Sequence, residues 1–334
     1  MTTAPSLVIA TFDPATLAPG LHRVWLVGER QGEGPPALPP LAALCWRGRR
    51  PWPRLIATAG IHGDEYEGPE AIWRLAEQLD PAHLHGCLIA LPHCNPWAVA
   101  AASRATPGAI DGGNLARLFP GDPGGSPTER LADALFRLLQ RLAGPGDLLL
   151  DMHAGGVALE FLPVVGYRGL PGVASQRAEA AARAFGVEPV WRMAPHAGTL
   201  TDAASRAGIP AVGVEMPGGG GARAEHVRCY GEGIRNLLRF QGILRDRPAP
   251  VTAAPAWTTT DVAAGAEGQI LLDASVGDRV RSGQPLGTIV SALGGPLATV
   301  RAPHDGRLWV IRHLRRVVVG DLVAVVAAPA DAAG

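Results

Sequence analysis

Between residues 54 and 240, short apolar runs alternate with amphipathic stretches, and this alternation constrains the fold more than any other feature of the chain. Leu55–Ala59 is one such run, closed by Gly60. Runs of this length are too short for a core helix and read as buried strands. Behind it, Ala71, Ile72, Leu75 and Leu79 recur at helical spacing, and Pro69 stands where a first helical position is expected. CLIALPHCNP reads as a second strand ending at Pro96. Ser126-Pro127-Thr128-Glu129 has the form of a capping box, and the helix it opens carries Leu131, Leu135, Leu138, Leu139 and Leu142. GDLLLDMH is a third strand, Ala174–Phe185 a helix stopped by Gly186, IPAVGVEMP a further buried strand, and Glu225–Phe240 a last helix. Upstream, LHRVWLVGE and LAALCWRG read as strands on either side of a Pro-rich turn. Strands alternating with helices predict an α/β architecture, a mixed sheet layered by helices.

The texture changes at RPAPVTAAPAW, residues 247–257, a Pro/Ala-rich linker candidate. Beyond it, SVGDRVRSGQPLGTIV and RVVVGDLVAVV each carry Val-Gly-Asp before an apolar strand, with a turn at Ala302–Gly306 between them. Three segments are therefore expected: an α/β catalytic domain over 1–246, a linker over 247–257, and a small all-β domain over 258–334. The last resembles the barrel-sandwich fold of lipoyl-type domains. The chain contains no Lys, so this domain cannot be a swinging carrier arm, and a shape-giving or oligomerising role remains. The same absence excludes Schiff-base and P-loop chemistry. Thirty Arg balance 30 Asp and Glu, a net charge of zero that argues against nucleic-acid coating or polybasic membrane binding. No apolar stretch approaches the ~18 residues of a membrane span. The N-terminus lacks a basic, then apolar, leader pattern, so a cytoplasmic protein with reduced thiols is expected. Its four cysteines form no Cys-x-x-Cys pair, which argues against a zinc knuckle or redox motif.

His62-Gly63-Asp64-Glu65 lies just past one buried strand, and Asp151-Met152-His153 closes another. In open α/β sheets, ligands bind outside the carboxyl ends of the strands. His62, Glu65 and His153 can then meet, and two imidazoles with a carboxylate suit zinc and leave a fourth position for water. The ordinary alternatives are a turn-capping His62, a satisfied buried His153 and a solvated Glu65. Glu215 ends the strand Ala211–Val214 before Met216-Pro217 and four glycines, a position that suits a general base; the alternative is a structural acid paired with an arginine. Arg104 and Arg117 flank a Gly-rich loop and suit bidentate binding of a carboxylate, or else are surface residues. Cys94 follows His93, but neighbouring strand residues face opposite ways, so they do not form a nucleophilic pair. His304 and His313 have no acidic partner at ligand spacing and read as surface or turn residues. Tyr66, Tyr167 and Tyr230 are candidate pocket residues among which the sequence does not choose.

AGIHGDEYEGPEAI, NLARLFPG with Arg104 upstream, DMH and VEMPGG occur in this order. Together they resemble the succinylglutamate desuccinylase/aspartoacylase family of zinc-carboxypeptidase-like hydrolases, in motifs across roughly residues 50–220. The Glu-Tyr-Glu-Gly-Pro flavour is similar to members that deacylate N-acetylated diamino acids such as N-acetyldiaminobutyrate. The resemblance implies one zinc per chain on His62, Glu65 and His153, and Glu215 as catalytic acid/base. Arg104 would stabilise the oxyanion, and Arg104, Arg117 and Asn114 would hold the substrate. It implies a small N-acyl amino acid as substrate and leaves a homo-oligomer open. The family pattern Asp/Asn-Leu-Asn-Arg reads Asn114-Leu115-Ala116-Arg117 here. Losing one hydrogen bond to a charged group is worth ~1.5–3 kcal/mol, enough to change specificity without changing the reaction. A carboxypeptidase or peptide amidase keeps the same chemistry on another substrate, and a non-catalytic metal- or ligand-binding protein uses the same pocket without turnover.

Overall fold

A computed structural model describes residues 4–28, 38–144, 146–248 and 250–330. The chain opens with β1 (Ser6–Val8), β2 (Gly20–Val27) and β3 (Leu41–Arg47). Most of the Pro-rich turn before β3, residues 29–37, lies outside the described residues. Next come β4 (Arg54–Thr58), α1 (Glu67–Gln78), β5 (Cys87–Leu91), α2 (Pro96–Ala100) and α3 (Pro127–Leu142). The alternation continues through β6 (Leu148–Ala154), β7 (Leu159–Phe161), β8 (Val164–Arg168), α4 (Val173–Phe185) and β9 (Val190–Met193). It ends with α5 (Leu200–Arg206), β10 (Ala211–Met216) and α6 (Ala224–Phe240). Strands alone follow: β11 (Ala256–Ala263), β12 (Gly268–Leu272), β13 (Arg279–Val280), β14 (Pro285–Val290), β15 (Pro296–Arg301), β16 (Gly306–Arg312), β17 (Arg316–Val317) and β18 (Leu322–Pro329).

Local chemistry sets these boundaries. Ser126 Oγ accepts from Glu129 N while Glu129 Oε2 accepts from Ser126 N at 2.8 Å, a complete capping box at the start of α3. Helix α4 stops at Gly186, which takes the left-handed conformation at φ 96°. Two boundaries at prolines differ from the sequence expectation. Helix α1 begins at Glu67, so Pro69 sits third in its first turn, where a missing N–H costs nothing. Strand β5 ends at Leu91 rather than Pro96, because Asn95 Oδ1 caps a new helix and Pro96 opens it.

The large sheet has the order β1-β2-β3-β5-β4-β6-β10-β8-β9-β11-β18-β16-β13, with β7 paired to β16. Its centre, β5-β4-β6-β10, is parallel, and every residue of β4 and β5 is buried. Both faces are covered. Leu55 and Ala57 of β4 join a core with Ile72 and Leu75 of α1 and Ile234 and Leu237 of α6. Ile56 faces the other way, into a core with Leu131, Leu135 and Leu139 of α3 and Leu200 of α5. A second, antiparallel sheet, β15-β14-β12-β17, packs Ile270, Leu286, Ile289 and Val300 against Leu308 and Val326 of the large one. The molecule is thus a mixed α/β sheet layered by helices with a small C-terminal β part. Strand β11 joins β9 in parallel, Ala256 opposite Val190 and Trp257 opposite Trp191, so the large sheet runs on into the C-terminal strands. Among the described residues no helix is long and apolar enough to cross a membrane.

Candidate active site

Strands β4, β6 and β10 are parallel neighbours, so their carboxyl ends open on one side of the sheet. His62 lies four residues past the end of β4, in a turn that packs against α2. A Cβ on Gly63 would meet the Ala98 carbonyl at 2.0 Å, so only glycine lets this turn approach so closely. His153 is on β6, and Glu215 of β10 is directly opposite it in register. Residues 62, 65, 153 and 215, scattered in the chain, are brought together by strand order alone.

Glu65 is the hub. Its Oε1 lies 2.6 Å from His62 Nδ1 and its Oε2 lies 3.0 Å from His153 Nδ1. Donor atoms of the three residues all fall within 4.8 Å of one another. Each imidazole is braced from behind. His153 Nε2 is 3.2 Å from Asp151 Oδ2, and Asp151 Oδ1 accepts from Thr58 Oγ1 at 2.9 Å. His62 Nε2 is 3.2 Å from Asn114 Oδ1, which also accepts from Ala116 N. Such outer partners fix the tautomer that leaves Nδ1 free to bind a metal. His62 and Glu65 are 3% and 4% exposed, so the charges of the cluster are balanced by one another and by Arg104 rather than by solvent. Tyr230 Oη lies between the carbonyl oxygens of His153 and Val214 and ties β6 to β10.

The electrostatics follow from this geometry. Burial alone would raise Glu65, but the imidazoles of His62 and His153 hold its carboxyl well below the usual carboxylate range. Burial lowers His62. Burial also opposes a charged His153, yet the Asp151 and Glu65 carboxylates outweigh it and hold that imidazole well above its ordinary value. Burial pushes Glu215 up to about 8. Its Oε2 is buried and has no hydrogen-bond partner among the described residues.

Arg104 Nη1 lies 3.3 Å from Glu65 Oε1, at the edge of the cluster. Arg117 bonds the Ala116 carbonyl, and both arginines line a cavity of about 560 Å³ that also contains His62, His153 and Glu215. Asn114 sits behind His62 at the start of a single 3-10 turn, Leu115–Arg117. None of Tyr66, Tyr167 and Tyr230 lines this cavity. Cys94 is buried against the Leu91 carbonyl, and His93 stacks edge-on with Trp73 at 5.3 Å, so the two make no pair. His313 is exposed, and His304 is half-buried in a turn, its ring nitrogens 2.8 Å from the Asp305 carbonyl oxygen and 3.1 Å from Thr260 Oγ1. Sequence reasoning missed Arg168, at the end of β8, whose guanidinium is held by Thr199, Thr201 and the Ala194 carbonyl at the cavity wall. Its signal was the one that found His153, a polar residue closing an apolar strand.

The succinylglutamate desuccinylase/aspartoacylase catalytic domain matches residues 51–241. The N-alpha-acetyl-L-2,4-diaminobutyric acid deacetylase of Halomonas elongata is 34% identical over 293 residues, 84% of each chain. The product-bound structure of the ectoine utilization protein EutE (DoeB) from Ruegeria pomeroyi is 29% identical. It superposes with a TM-score of 0.82, over 93% of this chain and 96% of that one. A succinylglutamate desuccinylase/aspartoacylase from Rhodobacter sphaeroides superposes at 0.80 with 30% identity, over 93% and 97%. With the matched segment enclosing His62, Glu65, His153 and Glu215, the chain belongs to the succinylglutamate desuccinylase/aspartoacylase family, deacylases that hydrolyse an amide C–N bond.

Proposed function

We propose that the protein is a zinc-dependent deacylase of small N-acyl amino acids, and that its substrate, like that named for the Halomonas relative, is an Nα-acetylated diamino acid. The observation that carries this reading is the convergence of two imidazole Nδ1 atoms on the two oxygens of one buried carboxylate. His62, Glu65 and His153 are the ligands, and this donor set fits one zinc per chain. When bound, zinc supplies an acidified water and polarises the scissile carbonyl. Glu215, beside His153, takes the proton of the attacking water and returns it to the leaving amine. Burial raises this carboxyl, which favours the return of the proton to the leaving amine. Arg104 donates to the carbonyl oxygen as its negative charge grows. Arg117 pairs with the substrate carboxylate. Asn114 Oδ1 is engaged by His62 and Ala116, so Asn114 serves the site by orienting the His62 imidazole. Residues 1–246 are the catalytic unit, and 258–334 form a wall that narrows the site. The free thiols among the described residues suit a reducing cytoplasm.

The test is Glu215→Gln in zinc-loaded protein, with hydrolysis of Nα-acetyl-2,4-diaminobutyrate followed beside that of dipeptides. The variant is expected to keep its zinc by elemental analysis and to lose about 10²–10⁴-fold in kcat. Near-normal turnover with zinc in place would overturn the role of Glu215. Faster cleavage of dipeptides would make the protein a carboxypeptidase.

A further inference from the structure

We infer that Asp261 recognises a free ammonium group on the substrate, so that the C-terminal strands set a preference for N-acyl diamino acids. The inference rests on the deacylase reading above. Asp261 lies on β11 and lines the same cavity as His62, His153 and Glu215. Its place follows from strand register. Asp261 is opposite Val325 of β18, Val325 opposite Val310 of β16, and Val310 opposite Phe161 of β7. All four residues line the cavity, so the row is an apolar wall that ends in one carboxylate.

The charges of the cavity single this group out. Glu65 is spent on two imidazoles, and Asp151 on Thr58 and His153. Glu215 stands beside His153. The guanidinium of Arg168 is spent on Thr199, Thr201 and the Ala194 carbonyl. Asp261 is exposed at the cavity and makes no side-chain hydrogen bond or ion pair among the described residues; His196, the cavity imidazole that feels its charge, is held below its ordinary value by burial and by the Arg117 and Arg168 guanidiniums. An N-acyl diamino acid has three polar points: the amide, a carboxylate and an ammonium. The His62–Glu65–His153 cluster and Arg104 meet the first and Arg117 the second. Asp261 is the anion left for the third. Asp261 itself is solvent-exposed, and a substrate seated on the apolar wall beside it displaces water, so that an ammonium gains from the carboxylate what a neutral side chain does not.

The experiment compares Nα-acetyl-2,4-diaminobutyrate with N-acetylnorvaline, in which a methyl of similar size replaces the ammonium. The wild-type enzyme is expected to prefer the former. Asp261→Asn should cut that preference in kcat/KM about tenfold, chiefly through KM, and Asp261→Glu should keep most of it. Calorimetric titration of zinc-loaded protein with 2,4-diaminobutyrate should give about tenfold weaker binding to Asp261→Asn. An unchanged preference and unchanged binding in that variant would overturn the proposal, as would a wild-type enzyme that treats the two substrates alike. If neither substrate is hydrolysed but 2,4-diaminobutyrate still binds in an Asp261-dependent way, the ammonium site stands and the deacylase reading fails.

Discussion

At His153 two demands oppose each other. As a metal ligand it must offer a neutral Nδ1, yet Asp151 and Glu65 flank the ring and favour its protonated form. The sign follows. The imidazole is held above its ordinary value, so at pH 7 the metal-free protein keeps a proton there, and the incoming ion must displace it. Zinc uptake at pH 7 should therefore release about one proton per ion, and its affinity should rise about tenfold per pH unit until His153 titrates on its own. Calorimetry in two buffers of different ionisation enthalpy measures the count, and a value of zero would mean that the ring is already neutral. The residues of this cluster were legible in the sequence because each ends an apolar run or follows one closely. Asp151 was legible in the same way, two positions from His153 on one strand and so on the same face. Asn114 was not. Its bond to His62 spans 52 positions and depends on how a loop folds back, which no local spacing encodes.

Among the elements, β10 and the glycines after it set the position of Glu215. Gly218 donates its N–H to Glu67 Oε1 at 3.0 Å and packs on Gly155, where an added Cβ would lie 2.6 Å from the Gly155 Cα. Gly219 has nearly the same positive φ but nothing within 4 Å of an added Cβ. The two alanine variants separate backbone strain from packing. Gly219→Ala should cost about 1 kcal/mol, the strain of a left-handed alanine. Gly218→Ala should cost roughly 2–4 kcal/mol, because the overlap with Gly155 adds to that strain, and should lower kcat by shifting Glu215. Chemical denaturation of both variants tests the difference, and equal losses would show that the contact with Gly155 contributes nothing. Helix termini were the best-read features at this scale. Ser126 and Gly186 act within a few residues of the ends they set, and both stand where the sequence put them. The proline readings were less secure. Pro69 and Pro96 are each compatible with a strand end, a first helical turn or a loop, and here Asn95 and the close packing around Gly63 decide.

Across the whole molecule, the change of texture after residue 246 reads as a boundary, yet the hydrogen bonding does not stop there. Ala256 and Trp257, the last residues of the Pro/Ala-rich stretch, already pair with Val190 and Trp191 of β9. Strand β7 pairs with β16, and the backbone bonds from Leu162 N to Trp309 O and from His313 N to Ala158 O extend that seam. Strand pairing at this separation is non-local and leaves no periodic trace, which is why the sequence conveyed the texture of the C-terminal part but not its attachment. Trp309 lies at the centre of the seam. It is fully buried, 6.4 Å from the Trp191 ring and 5.7 Å from the Trp257 ring, and packs with Val164, Val310 and Val325. If the seam couples the two parts, they should melt together. Calorimetry should give a single transition for the wild-type protein, because removing the C-terminal strands would bare the β9 edge and the apolar side chains of Phe161, Val164 and Trp191. Trp309→Ala should lower that one transition by about 3–5 kcal/mol of stability, the cost of an aromatic cavity, without splitting it. Two resolved transitions in the wild-type protein would mean that the C-terminal strands melt on their own, and that the wall carrying Asp261 is only loosely held against the catalytic cluster.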